Sequence, residues 1–249
     1  MAAHSAMYDR IGLGYAARRQ PDPRIATIIH EALSQSRSVL NVGAGTGSYE
    51  PNDRCVVAID PSRVMLSSRP SGAAPAVQGS AESLPFAADA FDATMAVLTI
   101  HHWTSSRVGL AECQRVARQR VLVLTWDPAS TDFWLVRDYF PDLVTVDRTI
   151  FPSLADIGAV LGEIVVKPVP IPSDCIDGFL GAYWRRPEAY LQPEVRTCIS
   201  SFRRAGDFAP GLARLKRDIA SGEWAARHAD LLRMAELDLG YRLIIAKSR

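Results

Sequence analysis

Gly43, Gly45 and Gly47 stand at alternate positions in the run N-V-G-A-G-T-G-S (Asn41 to Ser48). Glycine accepts positive φ and has no Cβ, so this backbone can turn tightly and approach a ligand closely. Val39, Leu40 and Val42, just upstream, read as a short buried strand. A strand that leaves an α/β sheet into such a loop marks a ligand crevice at the carboxyl edge of the strands. A glycine-rich turn without a ligand shows the same local pattern, so the neighbouring chemistry decides. Asp60 closes a second apolar run, Cys55 to Ile59, where its carboxylate can accept hydrogen bonds from hydroxyl groups. His101 and His102 lie where a third run, Ala93 to Ile100, should stop. An imidazole titrates near neutral pH and is a usable base. In an extended segment adjacent side chains point oppositely. One histidine is therefore expected to face the crevice, with His102 the candidate, and the other to pack or meet solvent.

The elements that must position these groups alternate between strand and helix. Residues 1–20 form a polar leader carrying Tyr8, Tyr15 and Arg18–Arg19, either a tail or a flap over the crevice. Pro21 and Pro23 open a helix whose apolar face is Ile25, Ile28, Ile29 and Leu33. The connection Ser48 to Arg54 contains Pro51, which leaves room for one helical turn at most. Pro61 and Ser62 start a short helix through Leu66, and Ala76–Val77 is a weak edge strand. Ser105 or Ser106 caps a helix carrying Val108, Leu110, Cys113 and Val116, before the strand Val121 to Leu124. Asp127 to Phe151 is long and aromatic, a functional loop or an unrecognised helix. Ser153 caps a helix to Leu161, and Glu163 to Val169 is a strand. Helical patterns follow at Ile176–Trp184, Val195–Phe202, Leu212–Ile219 and Trp224–Leu237, before a last strand at Tyr241–Ala246. Such alternation predicts an α/β fold with a parallel, doubly wound sheet.

The chain has 249 residues, 48% hydrophobic and 22% charged, enough for a substantial core. A formal charge of +1 offers no electrostatic case for nucleic acid or an acidic membrane surface. Cys55, Cys113, Cys175 and Cys198 are scattered, as buried thiols of a reduced protein would be, and suggest neither a disulfide frame nor a zinc site. No run reaches the length of a membrane span, so a cytoplasmic protein without a bound metal is expected.

Four segments in order, V-L-N-V-G-A-G-T-G, V-V-A-I-D-P-S-R-V-M-L, G-S-A-E-S-L-P-F and F-D-A-T-M-A-V-L-T-I-H-H-W, resemble class I S-adenosylmethionine-dependent methyltransferases. The likeness is to the small-molecule type (type 11) that includes the ubiquinone/menaquinone C-methyltransferases, and it covers about Val39 to Trp126 plus the late strand Tyr241 to Ala246. It implies a Rossmann-like sheet of about seven strands, the last antiparallel. It implies a single domain, 1–249, with a leader or flap at 1–20, a core at 21–169, a helical cap insertion at 170–240 and the last strand at 241–249. S-adenosylmethionine would be the cofactor and S-adenosylhomocysteine the product, with methyl transfer to O, N or C of a small organic acceptor in specialised metabolism. Retention of cofactor without turnover, cyclisation and aminopropyl transfer are the alternatives.

On that resemblance Asn41, Gly43, Ala44, Gly45 and Gly47 approach the cofactor and Asp60, followed by Pro61, takes the ribose hydroxyls. Met65 contacts adenine, Ser80, Ala81 and Glu82 meet its edge, Leu98 borders the cofactor, and Arg19 reaches its carboxylate. His102 and Tyr15 are the catalytic candidates, and Tyr15, Trp103, Trp126 and Trp134 the candidate acceptor wall. The chain has Asn41 where the family often has an acid, and Ser80 where it often has aspartate. The G-x-G-x-G spacing lacks the pyrophosphate cradle of dinucleotide enzymes. The short first crossover therefore suits adenosylmethionine better than NAD.

Overall fold

The structure, a computed structural model, describes residues 19–130, 132–203 and 206–248. Val39, Leu40, Asn41 and Val42 are all buried, as a strand covered on both faces requires, and they form most of β1 (Ser38–Val42). β2 (Cys55–Asp60), β3 (Ala76–Gln78), β4 (Phe91–Val97), β5 (Ala117–Trp126) and β6 (Ile164–Pro168) follow. A short pair, β7 (Ile171–Pro172) and β8 (Glu236–Leu237), precedes the final β9 (Tyr241–Lys247). The main sheet has the order β3-β2-β1-β4-β5-β9-β6, with β1 to β5 parallel. β9 runs antiparallel to both of its neighbours, so the expected doubly wound sheet with a reversed last strand is present.

Alternation along the strands sorts the core into two layers. Val39, Met95, Leu122 and Leu124 share a cluster with Ile25, Ile29 and Leu33 of the helix Pro23–Leu33. Leu40, Val42, Ala96, Val121 and Val123 share the other with Leu110 and Cys113 of the helix Ser106–Val116, and with Ile157 and Leu161 of the helix Leu154–Leu161. Local chemistry sets the helix starts. The Asp22 carboxylate accepts the Arg24 N–H with Pro23 in the first turn, Ser105 accepts from Val108, and Ser153 with Asp156 forms a capping box.

The chain winds from β1 toward β2 and β3, then restarts at β4 on the other side of β1. That reversal opens a crevice at the carboxyl ends of β1 and β4. The stretch from Gly43 to Arg54 contains turns but no helix, as its length and Pro51 predict.

Past β5 the sequence reading needs correction. Of the two readings of Asp127 to Phe151 the unrecognised helix holds: a single wide turn at Leu135–Tyr139 leads into a helix, Pro141–Ile150. Trp134, expected at a pocket wall, is a core residue, 2% exposed, with its indole N–H donating to the Trp184 carbonyl at 2.8 Å. Between β6 and β9 the expected helix Leu212–Ile219 is present within Ala209–Ala220, while the other three are shorter or absent. Ile176–Trp184 holds only a 3-10 turn at Leu180–Tyr183, and the helix begun at Glu223 ends at Arg227. Pro187, Pro193 and Pro210 each fall in the first turn of a new element, the first two of them short. A proline cannot donate within a helix interior, so it restarts the chain there. Cys113, Cys175 and Cys198 are buried, whereas Cys55 is exposed at the start of β2. No helix among the described residues is long and apolar enough to cross a membrane. Residues 1–18, including Tyr15 and most of the leader, lie outside the described residues.

Candidate functional site

The glycine loop forms one wall of a cleft of about 490 Å³ at the β1/β4 reversal, within the range of small-molecule sites. Gly43 (φ +71°) lies so close to Thr99 that any Cβ would overlap its side chain. Gly45 (φ +52°) has nothing within 4 Å of a Cβ position, so the space a side chain would fill belongs to the cleft. Its backbone N–H donates to Asp60 Oδ2 at 2.8 Å, while Ser62 N–H donates to Oδ1 at 2.8 Å. Burial raises the Asp60 pKa above the ordinary carboxylate value, against the pull of those two N–H donors and of Arg69. Each carboxylate oxygen has two lone pairs, so Asp60 retains acceptor capacity toward the cleft.

Pro61, Ser62 and the buried Met65 continue the same wall. Ser80, Ala81 and Glu82 face it. The Glu82 carboxylate is tied to the Ser80 hydroxyl and accepts the Ser105 N–H, so it joins this segment to the next helix start. Burial alone would raise the Glu82 pKa, and the Ser80 and Ser105 donors bring it below the usual glutamate value. Ala44 belongs to the glycine loop's own wall, and Leu98, Thr99, His102, Trp103 and Val108 complete the lining.

Two expected cofactor residues do not reach the cleft wall. The Asn41 amide donates to Glu50 Oε1 at 3.0 Å, and Glu50 Oε2 meets Arg69 at 2.6 Å. A Cβ on Gly47 would face the same Arg69 and Glu50 side chains at 3.1 Å. Asn41 and Gly47 therefore pack around a buried ion pair behind the loop. The acid beside position 41 is Glu50, held by Arg69 behind the loop, which spacing alone did not reveal. Removing Glu50 strands a buried guanidinium, which costs about 3–5 kcal/mol. Glu50→Ala is expected to show that loss in urea unfolding, whereas Asp53→Ala, which removes an exposed partner, should leave the midpoint unchanged. A loss under about 1 kcal/mol, the value of a surface bridge, would refute the buried-pair account.

A second, smaller cavity of about 70 Å³ adjoins the first, bordered by Trp126, Phe133, Phe151, Phe179 and Tyr241. Arg19, Leu98 and His102 border both cavities. Leu98 has φ +52°, a left-handed backbone that a leucine adopts at a cost of order 1–3 kcal/mol. Arg19 donates from Nε to the buried Asp177 at 2.6 Å, and Asp177 also accepts the Tyr49 hydroxyl at 2.7 Å. His102 borders the cleft and His101 is buried and stacked on Phe151, as one of the pair was expected to pack, but the two rings do not point apart, for a physical reason. Ile100–His102 is a 3-10 turn rather than extended chain, and the two rings lie 3.9 Å apart, both on the second cavity. Trp126 lines that cavity as expected, while Trp103 lines the first. Asp147 on the second wall was not anticipated; a lone acid in the apolar stripe Leu143, Val144, Asp147, Phe151 was the available signal.

These residues fit adenosylmethionine: a loop whose side-chain space is open, a carboxylate able to take paired hydroxyls, and an apolar wall at Met65. A family model described as a methyltransferase domain matches residues 40–125. The chain is 31% identical over 125 residues to 2-methyl-6-phytyl-1,4-hydroquinone methyltransferase 2, chloroplastic, of Oryza sativa subsp. japonica, covering 45% of this chain and 35% of that protein. It is 28% identical over 130 residues to tRNA (carboxymethyluridine(34)-5-O)-methyltransferase alkbh8 of Xenopus tropicalis, covering 49% of this chain and 20% of that one. The chain thus spans about a third and a fifth of these curated relatives. A tRNA-modifying relative means that similarity does not exclude a nucleic-acid acceptor. A solved structure from Anabaena variabilis, assigned as a methyltransferase from an antibiotic biosynthesis pathway, superposes with TM-score 0.83 at 32% identity, covering 92% of this chain and 98% of that one. With a likeness of that identity over nearly the whole length of both, the chain belongs to the class I S-adenosylmethionine-dependent methyltransferases.

Proposed function

We propose that this methyltransferase acts on a small organic acceptor, at O, N or C, in the cytoplasm. The observation that carries the reading is the shared wall: Arg19, Leu98 and His102 border both the glycine-loop cleft and the aromatic cavity. A donor in one and an acceptor in the other would meet there. The overall charge of only +1 and the size of the second cavity favour a small molecule over a nucleic acid.

In this reading Gly43 to Gly45 approach the cofactor through backbone, Asp60 takes its ribose hydroxyls, and Met65 with Ser80 to Glu82 hold the adenine. Arg19 meets its carboxylate at the shared wall. When bound, adenosylmethionine supplies an electrophilic methyl group on a sulfonium. The chain's own contribution is orientation and exclusion of water, together with a ring nitrogen of His102 that accepts the proton of a hydroxyl or ammonium nucleophile. Tyr15 is the second candidate for contact with the acceptor. Asn41 and Gly47 act from behind the loop, through Glu50 and Arg69.

The test is turnover of methyl-labelled donor with fractionated cell extract and a panel of phenols, amines and carboxylates. Label transferred to a small product supports the reading. Label found only in RNA, or in nothing while the cofactor binds, refutes it.

Asp60 adds a pH signature. A carboxylate whose folded pKa is raised takes up its proton at a higher pH than an unperturbed aspartate. Its ionised form costs the ligand-free fold stability at neutral pH, and that cost disappears on acidification through the folded pKa. Affinity for S-adenosylhomocysteine should begin to fall above the ordinary aspartate range, and Asp60→Asn should flatten that fall in calorimetry. Parallel profiles would take Asp60 out of the ribose contact.

A further inference from the structure

Asp177 is a carboxylate 1% exposed in the stretch between β7 and the 3-10 turn Leu180–Tyr183, inside the insertion that precedes β9. A buried charge is retained only where partners hold it, and here two donors arrive from distant parts of the chain. Arg19 Nε donates to Oδ1 at 2.6 Å, and the Tyr49 hydroxyl donates to Oδ2 at 2.7 Å. Burial and the Asp177 charge raise the Tyr49 pKa well above the ordinary phenol value, so that hydroxyl keeps its proton. Arg19 and Asp177 also form an isolated antiparallel backbone bridge, and the Ser48 hydroxyl donates to the Arg19 carbonyl at 3.4 Å. The neighbouring backbone is pinned as well, with the Ile176 N–H donating to Asp22 Oδ2 at 3.3 Å. Arg19 and Ser48 line the glycine-loop cleft, and Tyr49 leaves that loop with φ +64°. Asp177 lines neither cavity. Whatever it does for a ligand, it does through Arg19.

An arginine ends in a rigid planar fork on a flexible stem. A bond to Nε fixes the plane of that fork, and with it the direction in which the guanidinium faces. Resting on the methyltransferase reading, in which Arg19 meets the cofactor's carboxylate, we propose that Asp177 is the positioning residue for that end of the cofactor. It sets the Arg19 guanidinium at the shared wall, and Tyr49 keeps the same Asp177 carboxylate in register with the glycine loop. Two effects of Asp177 oppose each other. Its negative charge lowers the attraction of Arg19 for a carboxylate, whereas its bond removes the ordering that a loose guanidinium would undergo on binding. The Arg19 side chain is only 15% exposed. Without its counter-charge it has to turn toward other acceptors or water, so the orienting effect wins. The insertion before β9 therefore contributes to cofactor selection without touching the cofactor.

The test measures, by calorimetry on the full-length protein, how much better S-adenosylhomocysteine binds than decarboxylated S-adenosylhomocysteine, which keeps the adenosine and the amine. In wild type the carboxylate should give a preference of about 10–100-fold, the range for a hydrogen bond between charged groups. Arg19→Met should abolish most of that preference. Asp177→Ala should do the same with affinity for the decarboxylated ligand held, and the double variant should lose nothing further. Asp177→Asn retains an acceptor for Nε while the Tyr49 hydroxyl turns to accept from the amide, so it should keep most of the preference. A merely structural role for Asp177 lowers both affinities alike and leaves the ratio as it was, which overturns the inference. A preference that rises in Asp177→Ala, or an Asp177→Asn that behaves as Asp177→Ala does, overturns it as well. An unchanged ratio in Arg19→Met removes Arg19 from the contact and the inference with it. If Asp177→Ala does not fold, Arg19→Lys decides. An ammonium captured by Asp177 presents no fork, so loss of the preference supports the inference and its retention overturns it. All these outcomes leave the methyltransferase reading standing; wild-type protein that binds neither ligand removes that reading itself.

Discussion

Gly45→Val is expected to abolish measurable binding of S-adenosylhomocysteine while leaving the fold intact. Gly45 sits at φ +52° with no atom within 4 Å of a Cβ position. A valine there bears a left-handed backbone cost of about 1–2 kcal/mol, which a domain of this size tolerates. Its branches enter the space the ligand needs. At least a 100-fold loss of affinity should accompany a modest drop in unfolding midpoint. The contrast with Gly43→Val is informative. At Gly43 a side chain meets Thr99 rather than open cleft, so that variant should lose stability and affinity together. Undiminished affinity in Gly45→Val, by calorimetry on folded protein, would remove the glycine loop from the binding site.

His102→Ala is expected to slow the chemical step by about 10²–10⁴-fold, the usual range for losing a general base, with cofactor affinity little changed. The contacts proposed for ribose and adenine lie at Asp60, Met65 and Ser80, away from the shared wall. The prediction applies to a nucleophile that must lose a proton. Single-turnover rates against pH decide it. Wild type should lose rate on the acid side as the imidazole is protonated, and the variant should lack that limb. Equal rates with parallel profiles would assign His102 to packing against His101.

Much of this was legible in the chain. The two-residue alternation at Leu40/Val42 and Val121/Val123 identified buried strands because each face meets a helix. Asp60, Met65, Ser80 to Glu82, Leu98 and His102 line the cleft because each follows a strand whose end is forced to the crevice by the winding. Asn41 and Gly47 were misplaced because side-chain direction behind the loop depends on Arg69, which arrives from a helix end 22 residues past Gly47. The histidine pair was misread because a 3-10 turn, unlike a strand, keeps neighbours on one side. Beyond β6 the apolar periodicity suggested four regular helices; the one at Leu212–Ile219 formed, within Ala209–Ala220, while prolines at element starts divide Pro187 to Thr197 into short turns. Its aromatic residues satisfy burial without helical continuity, as Trp184 and Tyr190 do.

Leu98 gives the two cavities a common part. Its backbone is held in a left-handed conformation and its side chain closes both walls. A ligand that shifts Leu98 from one side changes the volume offered on the other. Linkage makes that effect reciprocal, so whatever factor the first ligand imposes on the second is returned in full. A single strained leucine thereby couples the two cavities with the same free energy, whichever is filled first.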